Sequence, residues 1–228
     1  MKRIISLIIY FLIIPAIICL GLVLLDKKLY NLIALLVVVI AMIPFFISFE
    51  KKKTSLEKIV LIAAFTAVTS LSRIIFNIVP LLPGFNPTAA IIILIGISFG
   101  KDTGFMVGAL TALISNNYIS HGPWTPFQMF SWGIIGYFAG VFTSLLKNNK
   151  LSLLIFGIIS GLLYSVLMDI YTVLFYDNAF TFKRMFVVMG LSIPFTITYM
   201  VANFLFLLLF SYLFLERMER IVQKYEIK

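Results

Sequence analysis

Two ionisable side chains sit inside long apolar runs: Arg73 in Leu71-Ser72-Arg73-Ile74-Ile75 and Asp169 in Val166-Leu167-Met168-Asp169-Ile170. A charge in such low-dielectric surroundings is costly unless it is paired or hydrated, so it marks a candidate site and calls for a partner. Arg73 and Asp169 are the obvious pair, either clamping two helices together or lining a cavity that holds a polar ligand. Asn77 lies one turn beyond Arg73 on the same helix face. A second polar group gathers at Asn116, Asn117, His121, Trp124 and Gln128, where two further apolar runs meet. Taken singly, Trp124 reads as an anchor at a water boundary and His121 as a surface residue.

These side chains suit binding better than bond making. His121 is the only histidine and Cys19 the only cysteine, so neither a metal site, an iron–sulfur cluster nor a disulfide framework is expected. The sequence contains no GxxxxGK[ST] loop and no HExxH, and a Ser/His/Asp set is not expected with one histidine. No cofactor and no catalytic residue is assigned, and the chain is not expected to be an enzyme.

The elements that hold these residues follow from composition. Of the 228 residues 62% are apolar and only 12% charged, with mean hydropathy +1.11. A water-facing globule carries about a quarter charged residues, so this is an integral membrane protein. At roughly 20 residues per span the length accommodates six to eight spans and no separate soluble domain. Apolar stretches fall near 4–25, 29–49, 59–79, 86–100, 103–120, 127–146, 151–176 and 185–215. Long unbroken runs favour helices over barrel strands, because each helix satisfies its own backbone in hydrocarbon. The expected fold is an all-α transmembrane bundle, with residues 4–25 a retained span rather than a cleaved signal.

The net charge of +9 needs no nucleic acid, because basic residues accumulate on the cytoplasmic side of membrane proteins. With both termini cytoplasmic, thirteen of the eighteen Lys and Arg fall inside, four outside (Lys27, Lys28, Lys183, Arg184), and Arg73 within a span. Arg73 lies 15 residues beyond Lys58, about 22 Å along its helix, in the outer half of the bilayer. Asp169, 18 residues beyond Leu151 on a span of the same direction, reaches a similar depth. The charged segment Ser48–Lys58 divides the chain into an N-terminal transmembrane hairpin, residues 1–50, and a six-helix core, residues 51–228. Small residues add Ala63 and Ala67 at i and i+4, and Gly104, Gly108 and Ala112 at the same spacing. Such stripes let helices approach closely, within the bundle or against another membrane protein.

From about Lys58 onward the sequence resembles the substrate-binding S components of energy-coupling factor (ECF) vitamin transporters. The resemblance is carried by Ala63 and Ala67, by Arg73 with the Pro80–Pro87 loop, and by Ile95-Gly96-Ile97-Ser98-Phe99-Gly100 before Gly104. It is carried also by Met168-Asp169 and by Gly122-Pro123-Trp124-Thr125-Pro126-Phe127-Gln128-Met129, a run similar to the branch for cobalamin or its precursors. The resemblance implies a six-helix core in the cell membrane that captures a vitamin at the outer face. It further implies a membrane coupling subunit and two cytoplasmic ATPases as partners, with Ala63 and Ala67 meeting the coupling subunit and the 80–87 loop covering the site. Arg73, Asn77, Asn117, His121, Trp124, Gln128 and Asp169 are the expected pocket residues. The hairpin 1–50 departs from the six-span pattern.

Overall fold

A computed structural model describes residues 30–50, 56–78, 82–176 and 180–224. The expected first span, Cys19, Lys27 and Lys28 lie outside the described residues. Within them the chain forms eight helices: α1 (Tyr30–Glu50), α2 (Leu56–Ile78), α3 (Thr88–Phe99), α4 (Lys101–Ile119), α5 (Thr125–Val141), α6 (Thr143–Asn148), α7 (Lys150–Tyr176) and α8 (Phe182–Lys224). Three of them, α2, α7 and α8, are long and apolar enough to cross a membrane.

Helix α3 sits at the centre. Ile92, Ile93 and Ile95 are fully buried, and ten of its 12 residues are buried, as a helix apolar all round should be when others surround it. Pro87 stands at its N-cap and Gly100 ends it at φ +89°, a left-handed conformation that favours glycine. The same Gly100 is the N-cap of α4, so two apolar stretches become two separate helices with one residue between them.

Helices α4 and α5 lie backbone to backbone. A Cβ at Gly104 would stand 2.4 Å from the carbonyl oxygen of Gly136, and one at Gly108 would stand 2.4 Å from that of Trp132. The Gly104–Gly108 stripe therefore serves packing inside the bundle. Helix α7 meets α8 in the same manner, with Gly161 against the backbone of Tyr199 and Met200. Helix α1 lies on the α4–α5 face: Phe45 stacks on Phe105 with ring centres 4.1 Å apart and meets Tyr137 edge-on at 5.0 Å.

Helix α8 runs 43 residues, nine beyond the expected 185–215 stretch at its C-terminal end, into a charged segment. Arg220 pairs with Glu216 one turn away, and Glu219 pairs with Lys147 of α6. These contacts continue the helix past the apolar run by giving its polar end partners of its own.

Candidate ligand-binding site

Residues of α2, α5, α7 and α8 and the loop before α3 line a cavity of about 220 Å³. Its polar wall is a chain of hydrogen bonds. Arg73 of α2 donates through Nη1 to Asn116 Oδ1 at 2.6 Å and to Ser115 Oγ at 2.5 Å, both on α4. Asn116 Nδ2 donates to Gln128 Oε1 at 2.8 Å and to Thr125 Oγ1 at 2.9 Å on α5. Gln128 Nε2 then donates to Tyr164 Oη of α7 at 3.0 Å.

The direction of this chain is fixed by its first member. A guanidinium only donates, so Asn116 turns its oxygen to Arg73 and its NH₂ to Gln128, which must do the same toward Tyr164. Tyr164 accepts at the end of the chain, which leaves its O–H to donate elsewhere. Ser115, Asn116, Thr125 and Gln128 are all buried, and each is paired within this chain.

The remaining wall is aromatic. Arg73 Cζ lies 4.7 Å from the centre of the Trp132 ring, a cation–π contact. Trp132 stacks with Tyr164 at 5.5 Å, and Tyr164 meets Tyr199 edge-on at 5.0 Å. Phe85 of the loop packs on Phe76 and Phe206. Gly84 has φ +84°, and a Cβ there would fall 2.5 Å from Cε1 of Tyr199. Asn86 braces this turn, donating to the Gly84 carbonyl and accepting from the Thr88 N–H, each at 3.1 Å.

Of the expected pocket residues, Arg73, Asn77 and Gln128 line this one cavity, and Asn117, His121, Trp124 and Asp169 are not among its lining residues. The expected Arg73–Asp169 pair is corrected by the structure. Asp169 accepts from Ser192 Oγ of α8 at 2.8 Å, while Arg73 is engaged by α4. The two residues were matched by depth, but Tyr164 is the polar α7 residue at the wall, and five further residues turn a helix by about 140° beyond full rotation. Asn117 is one residue from Asn116, hence about 100° away; it is exposed and its amide donates back to the Leu113 carbonyl at 2.8 Å. His121 is exposed, and Trp124 covers Gly122 in the turn above the wall.

Trp132, Tyr164, Tyr199 and Asn203 were not among the expected site residues. Spacing carried a signal for each: Trp132 is four residues from Gln128, Tyr199 four from Asn203, and Gly157, Gly161 and Tyr164 form one face of α7. Asn203 joins these helices by donating to the Gly157 carbonyl at 3.0 Å.

A family model described as "ECF-type riboflavin transporter, S component" matches residues 53–219 of the 228. It gives no support to the cobalamin branch suggested by the Gly122–Met129 run. No curated protein and no solved structure matches the chain.

Proposed function

The chain belongs to the S components of ECF transporters, multi-span membrane proteins that bind a transported substrate and are not enzymes, and on that premise we propose that it captures riboflavin or a vitamin of similar size at the outer face. The observation that carries the reading is the cavity itself: a chain of hydrogen-bonded polar groups on one side and Trp132, Tyr164, Tyr199 and Phe85 around it. Apolar burial of a planar ring against such walls supplies affinity, and a few fixed polar groups orient it.

Size supports the small vitamin over the corrinoid. Ligand pockets span roughly 300–1,000 Å³, and 220 Å³ lies below that range. A three-ring heterocycle stands nearer to this volume than a corrinoid does. Lys and Arg counts support both termini on the cytoplasmic side and hence a cavity facing outward.

Delivery follows the family's division of labour, with a coupling subunit and two ATPases supplying the work. Ala63 and Ala67 are exposed along α2, which leaves a small-residue face open for a helix of the coupling subunit. The six long helices after residue 51, α2, α3, α4, α5, α7 and α8, form the binding core in this reading.

The test is twofold. Small molecules that co-purify with the protein are identified by mass spectrometry, and riboflavin is titrated into the purified protein while its fluorescence is followed. Saturable quenching that added cobalamin does not displace is expected. Absence of binding by every vitamin tried would leave a scaffolding role for the bundle and end the capture reading. Uptake that persists in cells lacking the coupling subunit and ATPases would remove the dependence on partners.

A further inference from the structure

The cavity holds one charge that no described residue balances. Arg73 is the only Lys, Arg, Asp or Glu among the lining residues. Among the described residues no carboxylate pairs with it, and the acid at comparable depth, Asp169, is engaged by Ser192. Its two hydrogen bonds both leave from Nη1, to the neutral oxygens of Ser115 and Asn116. A guanidinium has five N–H donors, so Nε–H and the Nη2 pair are left without a described protein acceptor. Trp132 offsets part of the charge through its ring face but supplies no lone pair.

The rest of the polar wall points the same way. Because the chain from Arg73 through Asn116 and Gln128 runs donor to acceptor, it ends on Tyr164 with a hydroxyl hydrogen to give. Two groups in one small cavity therefore offer hydrogens, one of them cationic, and neither has an acceptor for them among the described residues. A partly buried cation without a counter-charge is unfavourable, and a ligand that brings the counter-charge removes that cost on binding.

We infer that Arg73 is a charge-selecting residue: the ligand turns an anionic or strongly accepting oxygen group to its open N–H edge, so that a negatively charged form binds more tightly than its neutral parent. The inference rests on the capture reading above and narrows it. Two parts of a flavin supply that chemistry, a phosphate on the sugar-alcohol tail and the ionised nitrogen–carbonyl edge of the reduced ring.

The experiment titrates the purified full chain in lipid nanodiscs with riboflavin, riboflavin 5′-phosphate, and riboflavin reduced anaerobically at about pH 8. At least one anionic form is expected to bind about tenfold or more tightly than neutral riboflavin, the margin between charge-assisted and neutral hydrogen bonds. A preference for the phosphate alone assigns the tail to Arg73, and a preference for the reduced form alone assigns the ring edge. Arg73→Gln is expected to remove the preference, so that the anionic forms bind it no more tightly than neutral riboflavin does, and Arg73→Lys to retain part of it. Equal binding of all three forms by the wild-type protein, which needs no variant to fold, overturns the inference and leaves the capture reading intact. So does an Arg73→Gln protein that weakens all three forms alike. Failure of every form to bind overturns the capture reading itself.

Discussion

Gly84 is the point at which the loop before α3 rests on the cavity wall, and Gly84→Ala tests whether that contact closes the site. The backbone at φ +84° is left-handed, which costs a non-glycine residue about 1–2 kcal/mol. The added methyl would also lie 2.5 Å from Cε1 of Tyr199, about 1 Å inside ordinary carbon–carbon contact. Neither side yields freely: Asn86 holds the turn through two hydrogen bonds, and Tyr199 is packed edge-on against Tyr164. Moving the loop outward is the cheaper relief, because it disturbs surface backbone rather than the bundle. If 1–2 kcal/mol falls on the closed, ligand-bound state, affinity drops by about 5–30-fold. The loss should sit in the dissociation rate, read by stopped-flow fluorescence of bound flavin, with the association rate little changed. A double-mutant cycle with Tyr199→Ala separates clash from backbone strain, since the small side chain removes only the clash. A Gly84→Ala protein whose Kd stays within twofold of wild type, or a cycle with no coupling between the two positions, refutes the reasoning.

Three further outcomes follow from the same geometry. Gln128→Leu removes both hydrogen bonds in the middle of the polar chain, at about 1–3 kcal/mol in all, so riboflavin affinity is expected to fall and thermal unfolding to shift downward; unchanged values in both assays would contradict the chain. Asp169→Asn is expected to leave riboflavin affinity within twofold, because the residue faces Ser192 on α8 and lies outside the cavity wall; a tenfold loss in titration would restore it to the site. Ala67→Trp places a large ring on the exposed face of α2, so co-purification of the coupling subunit is expected to fail while purified protein binds riboflavin as before.

The order of the helices was legible because hydropathy reports directly on what a bilayer demands. Expected stretches at 86–100 and 103–120 became α3 and α4, bounded within a few residues by Pro87 and by Gly100. The far end of α8 was not legible from hydropathy, because its last turns are held by ion pairs such as Lys147–Glu219 rather than by apolar burial. The Gly104–Gly108 stripe signalled close packing in the sequence. Whether the partner lay inside the bundle could not be read until Gly136 and Trp132 were seen across from it.

The site residues were read from depth, and depth carries no direction. Counting residues from the charged ends placed Arg73 and Asp169 at one level, and that is a statement about translation along two helices only. A side chain's azimuth changes by about 100° per residue, so a level shared by two residues leaves their facing undetermined. Periodicity was the information that fixed it: Gly157, Gly161, Ser165 and Asp169 recur every four residues along the α7 face that meets α8, while Tyr164, about 140° from Asp169, turns to the wall. The same rule separates Asn116 from Asn117 and joins Gln128 to Trp132. In an apolar bundle the rarest polar residue therefore reveals less than the small or aromatic residues in register with it, since those set which face of the helix the cavity receives.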